Sequence, residues 1–282
     1  WHNGRLVQVT DQQYEFGEAH WVFGQRRWLE YTPGSLLAIV THPDGDRVVK
    51  VDISSGQCRA VSDLFANLAH ISAGCNGFAN LVASYVDRNP EVVTIACQAH
   101  SKYLHNTGAS DSIRAHSDPL FFEFETTEQG VAYGYFYPPW NPQYCGLDHT
   151  LPPAIVMIHG GPTARTTREY AGLKQYYCSL GFAVIDINHR GSTGFGREFR
   201  QSLIGYWGEY DCDDVRAAID YAARKQWIDT ELVFIRGSSA GGYAVLRALT
   251  QYPEVFCGGA SYYGIGNLIT LYSLILEANH KE

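Results

Sequence analysis

The run ELVFIRGSSAGGYAVLRALTQYP, residues 231–253, constrains the fold more than any other stretch of the chain. It reads as a β-rich segment, a corner of small residues from Gly237 to Gly242, and an amphipathic helix. Glycines on both sides of a serine permit the unusual dihedrals of a sharp strand-to-helix turn and leave space where β-carbons would crowd it. Such a corner lifts the Ser239 hydroxyl out at the carboxyl edge of a sheet. The plainer role for a serine in this place is to cap the helix, and Ser238 is equally placed for that.

The chain around this corner changes character near residue 118. From Arg5 to about Ser117 it reads as short β stretches, RLVQVT, RRWLEYT, LLAIVTH, RVVKVDI, LVASYV and EVVTIA, separated by turn clusters such as Pro43, Asp44 and Gly45. Two hairpins, LLAIVTHPDGDRVVKVDISSG and FANLVASYVDRNPEVVTIA, are displaced by about 43 residues, near the period of a four-stranded propeller blade. A β-sandwich is the other arrangement these strands allow. Too few strands are present to close a propeller, so residues 1–117 are expected to be its C-terminal part. From Pro119 onwards PLFFEFETTEQGVAYGYFYPP reads as a long hairpin, after which strands and helices alternate. LPPAIVMIHGG is a buried strand, residues 168–180 are helical, GFAVIDIN is the next strand and residues 211–224 the next helix, capped by Asp211 or Asp213. Alternation of this kind predicts a parallel sheet covered on both faces, with the active groups at the strands' carboxyl ends. The expected fold of residues 118–282 is therefore an α/β-hydrolase, incomplete at its C-terminus.

In this fold the second oxyanion donor comes from an earlier strand-to-helix loop. His159, Gly160, Gly161 and Pro162 close the strand AIVMIHGG, which assigns the backbone donors to Ala240 and Gly161. His159 is expected to be a structural histidine that fixes the turn, since the base of such a triad does not belong at the end of an early strand. The acid and base should follow the nucleophile, in the order Ser, Asp or Glu, His. After Ser239 the chain has no aspartate, and its remaining candidates are Glu254, Glu277, Glu282 and His280. Glu277 and His280 lie three apart on one predicted helix instead of on loops after two further strands. The triad Asp and His are thus expected outside this chain, and the chain alone is expected to be inactive.

These motifs, IHGGPT, INHRGSTGFGREFR, YWGEYDCDDVRAAIDY, QWID and IRGSSAGGYAVL, taken in order and spacing, resemble the prolyl oligopeptidase family of serine peptidases, especially its acylaminoacyl-peptidase-like branch. EFGEAHWVFG and the bridge PLFFEFETTEQGVAYGYFYPPWNP are similar to the family's last propeller blades and the crossing into its hydrolase domain. The resemblance implies a peptidase for short peptides or amino-acid amides, with a propeller restricting access, Ser239 as nucleophile, and Ala240 and Gly161 as oxyanion donors. His189 and Phe195 stand where tyrosine is common in the family. An esterase or amidase of the same fold is the alternative, and a peptide-binding remnant without activity is another. Intact glycines at the corner argue against the remnant.

The net charge of −8, from 21 basic and 29 acidic residues, offers no basic field for nucleic acid. Seven scattered cysteines, never spaced as zinc or redox pairs, read as mostly buried thiols in a reducing compartment, the cytoplasm. No apolar run reaches the length of a membrane span. No metal cluster or nucleotide loop is expected: RGSTGFG follows a strand but lacks the lysine and spacing of a phosphate loop. No cofactor is implied. A start at Trp1 instead of methionine reads as the interior of a longer protein.

Overall fold

The computed structural model describes residues 5–10, 15–18, 22–75, 77–96, 103–106 and 116–279. The chain falls into two compact units, residues 1–118 with 167–172 and 193–198, and residues 119–166 with 173–192 and 199–282.

The first unit carries two four-stranded antiparallel sheets. One joins β1 (Trp28–Thr32), β2 (Ser35–His42), β3 (Gly45–Asp52) and β4 (Cys58–Ala60) in that order. The other joins β5 (Asn67–Ala73), β6 (Phe78–Ser84), β7 (Glu91–Ala96) and β8 (Tyr103–Asn106). Both hairpins read from the sequence are present, as β2 with β3 and β6 with β7. Their inward side chains, Leu37, Ile39, Val48, Leu68, Ile71, Leu81 and Ile95 among them, form one buried cluster. The run RLVQVT, by contrast, forms no strand.

The second unit is a six-stranded sheet in the order β14, β13, β11, β12, β10, β9. The hairpin of β9 (Leu120–Glu125) and β10 (Val131–Tyr137) is antiparallel, and β10 is antiparallel to β12 (Ala183–Asn188) as well. β11 (Ala154–Ile158), β12, β13 (Val233–Ser238) and β14 (Gly258–Tyr262) run parallel. Parallel strands need crossovers, and helices supply them: α1 (Gly172–Ser179), the short α2 (Arg197–Gln201), α3 (Tyr210–Arg224) and α4 (Ala240–Gln251). A last helix, α5, spans Leu268–Asn279.

All five residues of β11 are buried, because helices lie on both faces. Val156 and Ile158 join Ile185, Ile187 and Ile235 in a core with Val215 and Ile219 of α3 and Ala244, Val245 and Ala248 of α4. Ile155 and Met157, pointing the other way, pack with Tyr135, Tyr137, Val184 and Cys178 of α1. Two expectations shift here. α1 begins at Gly172, four residues after the predicted start, since residues 167–172 are gathered into the first unit, where the Tyr170 amide donates to Tyr85 O at 2.7 Å. The residue capping α3 is Glu209, which makes no side-chain cap bond, while Asp211 lies inside the first turn and accepts from the Gly208 amide at 2.7 Å.

No helix among the described residues is long and apolar enough to cross a membrane. Six of the seven cysteines stand as thiols, and Cys97 lies outside the described residues. Only Cys178 and Cys212 of the six are buried, fewer than the sequence suggested, because the others fall on turns and surface strands.

Candidate active site

Ser239 is the single residue between the end of β13 and the start of α4. Its backbone has φ 55° and ψ −118°, a conformation that costs a side-chain-bearing residue about 1–3 kcal/mol and persists only where its surroundings over-determine it. Those surroundings are visible. The Ser239 amide donates to Tyr262 O at the end of β14, 3.0 Å away, and its carbonyl accepts from Tyr243 in the first turn of α4 at 3.0 Å. A β-carbon on Gly241 would stand 2.4 Å from Ile158 O and 2.7 Å from His159 O, so the helix approaches the end of β11 too closely for any other residue. Although Ser239 occupies the cap position, its side chain makes no capping hydrogen bond. The hydroxyl is not spent on its own helix, and the simple capping role does not hold.

The loop after β11 reaches the same place. A β-carbon on Gly160 would lie 2.9 Å from Ser238 O and 3.5 Å from Ser239 Cβ. Gly161 has φ 55°, in the left-handed region, and its carbonyl accepts from the Ala164 amide at 2.7 Å in a tight turn. The fold therefore brings together the three residues singled out in the sequence: Ser239, Ala240 beside it at the head of α4, and Gly161 on the adjoining loop. Amides of a helix's first turn have no partner within the helix, and the helix dipole favours negative charge there.

His159 is held on both sides of its ring. Nδ1 lies 3.1 Å from Gly160 O, Nε2 lies 2.7 Å from Ser192 Oγ, and the ring stacks on His189 with centroids 4.5 Å apart. Burial, then the neighbouring His189, pushes the His159 pKa down to about 3; burial first also lowers His189 to about 4. Both imidazoles are neutral at pH 7, as a structural pair would be. Ser192 escaped the reading of the sequence, where its segment RGSTGFG was taken as part of a family motif and weighed as a phosphate loop, with no role given to the serine. The hint was the same in kind as for Ser239: a serine in a glycine turn directly after a strand.

Arg190, next to His189 in the chain, forms a buried ion pair with Asp214. The Arg190 amide, Nε and Nη2 donate to the carboxylate at 2.6, 3.0 and 2.8 Å, Thr126 Oγ1 donates to it at 2.5 Å, and the guanidinium lies 3.9 Å over the Tyr210 ring. Burial holds the Asp214 pKa above the ordinary carboxylate range, with Arg190 opposing. Burial likewise raises Asp211 to about 6. Among the described residues, no three His, Cys, Asp or Glu side chains gather as a metal site. A groove of about 320 Å³, lined by Tyr177, Phe182, Phe234 and Arg236, lies on the sheet face that α1 covers and not at Ser239. His280 lies outside the described residues.

A serine held in a strained bend at the carboxyl end of parallel strands, between strand and helix, is the corner geometry of the α/β-hydrolase fold. In comparison with known proteins, residues 169–282 match the prolyl oligopeptidase family, the family that the motifs resemble. A dipeptidyl aminopeptidase BIII from Pseudoxanthomonas mexicana is 39% identical over 123 residues, 44% of this chain and 18% of that one. The human acylamino-acid-releasing enzyme is 35% identical over 129 residues, 41% of this chain and 18% of that one. In three dimensions the chain superposes on a puromycin-hydrolyzing peptidase of Mycobacterium tuberculosis with a TM-score of 0.84 and 27% identity, covering 95% of this chain and 42% of that structure. The matches thus span less than half the length of each of these relatives.

Proposed function

We propose that this chain is part of a serine peptidase that hydrolyses short peptides or aminoacyl and acylaminoacyl amides through an acyl-enzyme on Ser239. The observation that carries the reading is the strained, uncapped Ser239 with the Gly160 loop against it. Ser239 Oγ attacks the amide carbonyl carbon as a general base takes its proton, and the carbonyl oxygen becomes an oxyanion between the amides of Ala240 and Gly161. The C–N bond then breaks, the amine leaves with the proton, and water releases the acyl group. Because the amide of Ser239 is committed to Tyr262 O, the corner's donor is the next residue, Ala240.

The catalytic Asp and His come from outside residues 1–282 in this reading, and the chain alone is inactive, since loss of the triad base costs about a million-fold in turnover. Residues 1–117 are the C-terminal blades of a β-propeller and residues 118–282 the N-terminal part of the peptidase domain. The two four-stranded meanders and the parallel sheet support that division. The substrate class is supported by the names of the relatives, a dipeptidyl aminopeptidase, an acylamino-acid-releasing enzyme and a puromycin-hydrolyzing peptidase. Thiol cysteines fit the cytoplasm.

The test uses the longer polypeptide that contains this chain. Fluorophosphonate is expected to label it on Ser239, Ser239→Ala is expected to lose both label and turnover, and aminoacyl or N-acyl-aminoacyl amides are expected to be cleaved. Rapid turnover of simple esters without amide cleavage would make it an esterase; no adduct at all would favour a peptide-binding remnant.

A further inference from the structure

Ser192 is fully buried in the turn that follows β12, against His159, and the reaction as described gives it no part. Ser192 Oγ lies 2.7 Å from both His159 Nε2 and His189 O, but its single proton serves only one of them. His189 O already accepts the Ser192 amide at 3.0 Å. On the other side of the ring, Gly160 O, 3.1 Å from His159 Nδ1, can only accept. A neutral imidazole has one N–H, so two patterns fit: Nε2–H donating to Ser192 Oγ while the hydroxyl donates to His189 O, or the Ser192 hydroxyl donating to Nε2 while Nδ1–H donates to Gly160 O; only the second gives Gly160 O a donor, and His189 O keeps the Ser192 amide in both. His189 uses its own Nδ1 on Arg190 O at 2.7 Å and does not compete.

Gly160 O belongs to the same peptide unit as the Gly161 amide. A peptide is planar and trans, so holding the oxygen in place sets the direction in which the N–H on its other side points. We infer that Ser192 is a positioning residue for the oxyanion site: through His159 it fixes the Gly160–Gly161 peptide and aims the Gly161 amide. The inference rests on the peptidase reading above. His159 itself moves no proton in this scheme. It transmits the orientation of a turn after β12 to a loop after β11, and its stacking on His189 keeps the ring from swinging out of that plane.

The experiment uses the longer polypeptide with an aminoacyl amide substrate. A displacement of about 1 Å at a reacting group costs on the order of 100-fold, so Ser192→Ala is expected to lower kcat about 10- to 100-fold. KM should change by less than about threefold, because the interaction lost is made in the transition state. If Ser192 acts through His159, Ser192→Ala should add almost nothing in a His159→Gln background. An unchanged kcat in the single variant, or full additivity in the double, would overturn the inference. A measurement on the unmodified protein stands even where a variant does not fold: nitrogen-15 spectra of His159 should show the Nδ1–H tautomer, and the Nε2–H tautomer would overturn the assignment. Failure of the catalytic reading looks different, since a fully active Ser239→Ala would remove the reaction and this role with it while leaving the tautomer as it is.

Discussion

At Ser239 the backbone works against the residue it carries. With φ 55° and ψ −118° the position suits glycine, and serine is held there by the bonds to Tyr262 and Tyr243 and by the close approach of Gly241 to β11. Replacing Ser239 by alanine keeps the strain, whereas glycine releases it at the cost of a more flexible unfolded chain. Ser239→Gly is therefore expected to be more stable than Ser239→Ala by about 1 kcal/mol, read from urea midpoints of the two variants. Equal midpoints would mean that the bend is not strained. This residue was legible in the sequence because strain leaves a compositional mark, small residues on both sides of one hydroxyl. Ser192 was not, since the glycine turn that hints at it does not reveal its partner 33 positions away.

At the scale of elements, one ion pair ties three of them together. Arg190 follows β12, Asp214 lies in α3, and Thr126 and Thr127 belong to the β9–β10 turn, where Thr127 Oγ1 lies 2.9 Å from Arg190 Nη2. Both charges are almost wholly out of water, so removing one leaves the other uncompensated at a cost of about 3–5 kcal/mol. Arg190→Met alone is expected to lose about that much stability in denaturant titrations, while Arg190→Met with Asp214→Leu should recover most of it. A double variant as unstable as the single would show that shape, not charge, is at stake. Periodicity located β11, β12, β13, α3 and α4 in the sequence, because strands buried on both faces and amphipathic helices each have their own spacing. It misplaced the start of α1, since residues 168–171 have helical spacing but are bonded into the other unit.

For the whole molecule, the buried side chains fall into separate cores. Leu68 lies in the core of the first unit and Ile235 in that of the second. Two such cores predict two cooperative unfolding events. Leu68→Ala and Ile235→Ala should each cost about 2–5 kcal/mol, and each should move a different calorimetric transition. A single transition shifted equally by both would mean that the units unfold as one. The change from hairpins to alternating strands and helices near residue 118 was plain in the sequence. The gathering of 167–172 and 193–198 with the first unit was not, because long-range packing of loops has no periodicity to read.

The crowding around Gly160 and Gly241 bears on descent as well as on shape. Those glycines are required by the bend whether or not it hydrolyses anything, so a lineage relieved of its duty would still keep them. Their survival says nothing against decay, contrary to what the bare sequence suggested. The hydroxyl at 239 is another matter: with no task it would drift toward glycine at a gain, and its presence is the one mark at this corner that folding alone does not account for.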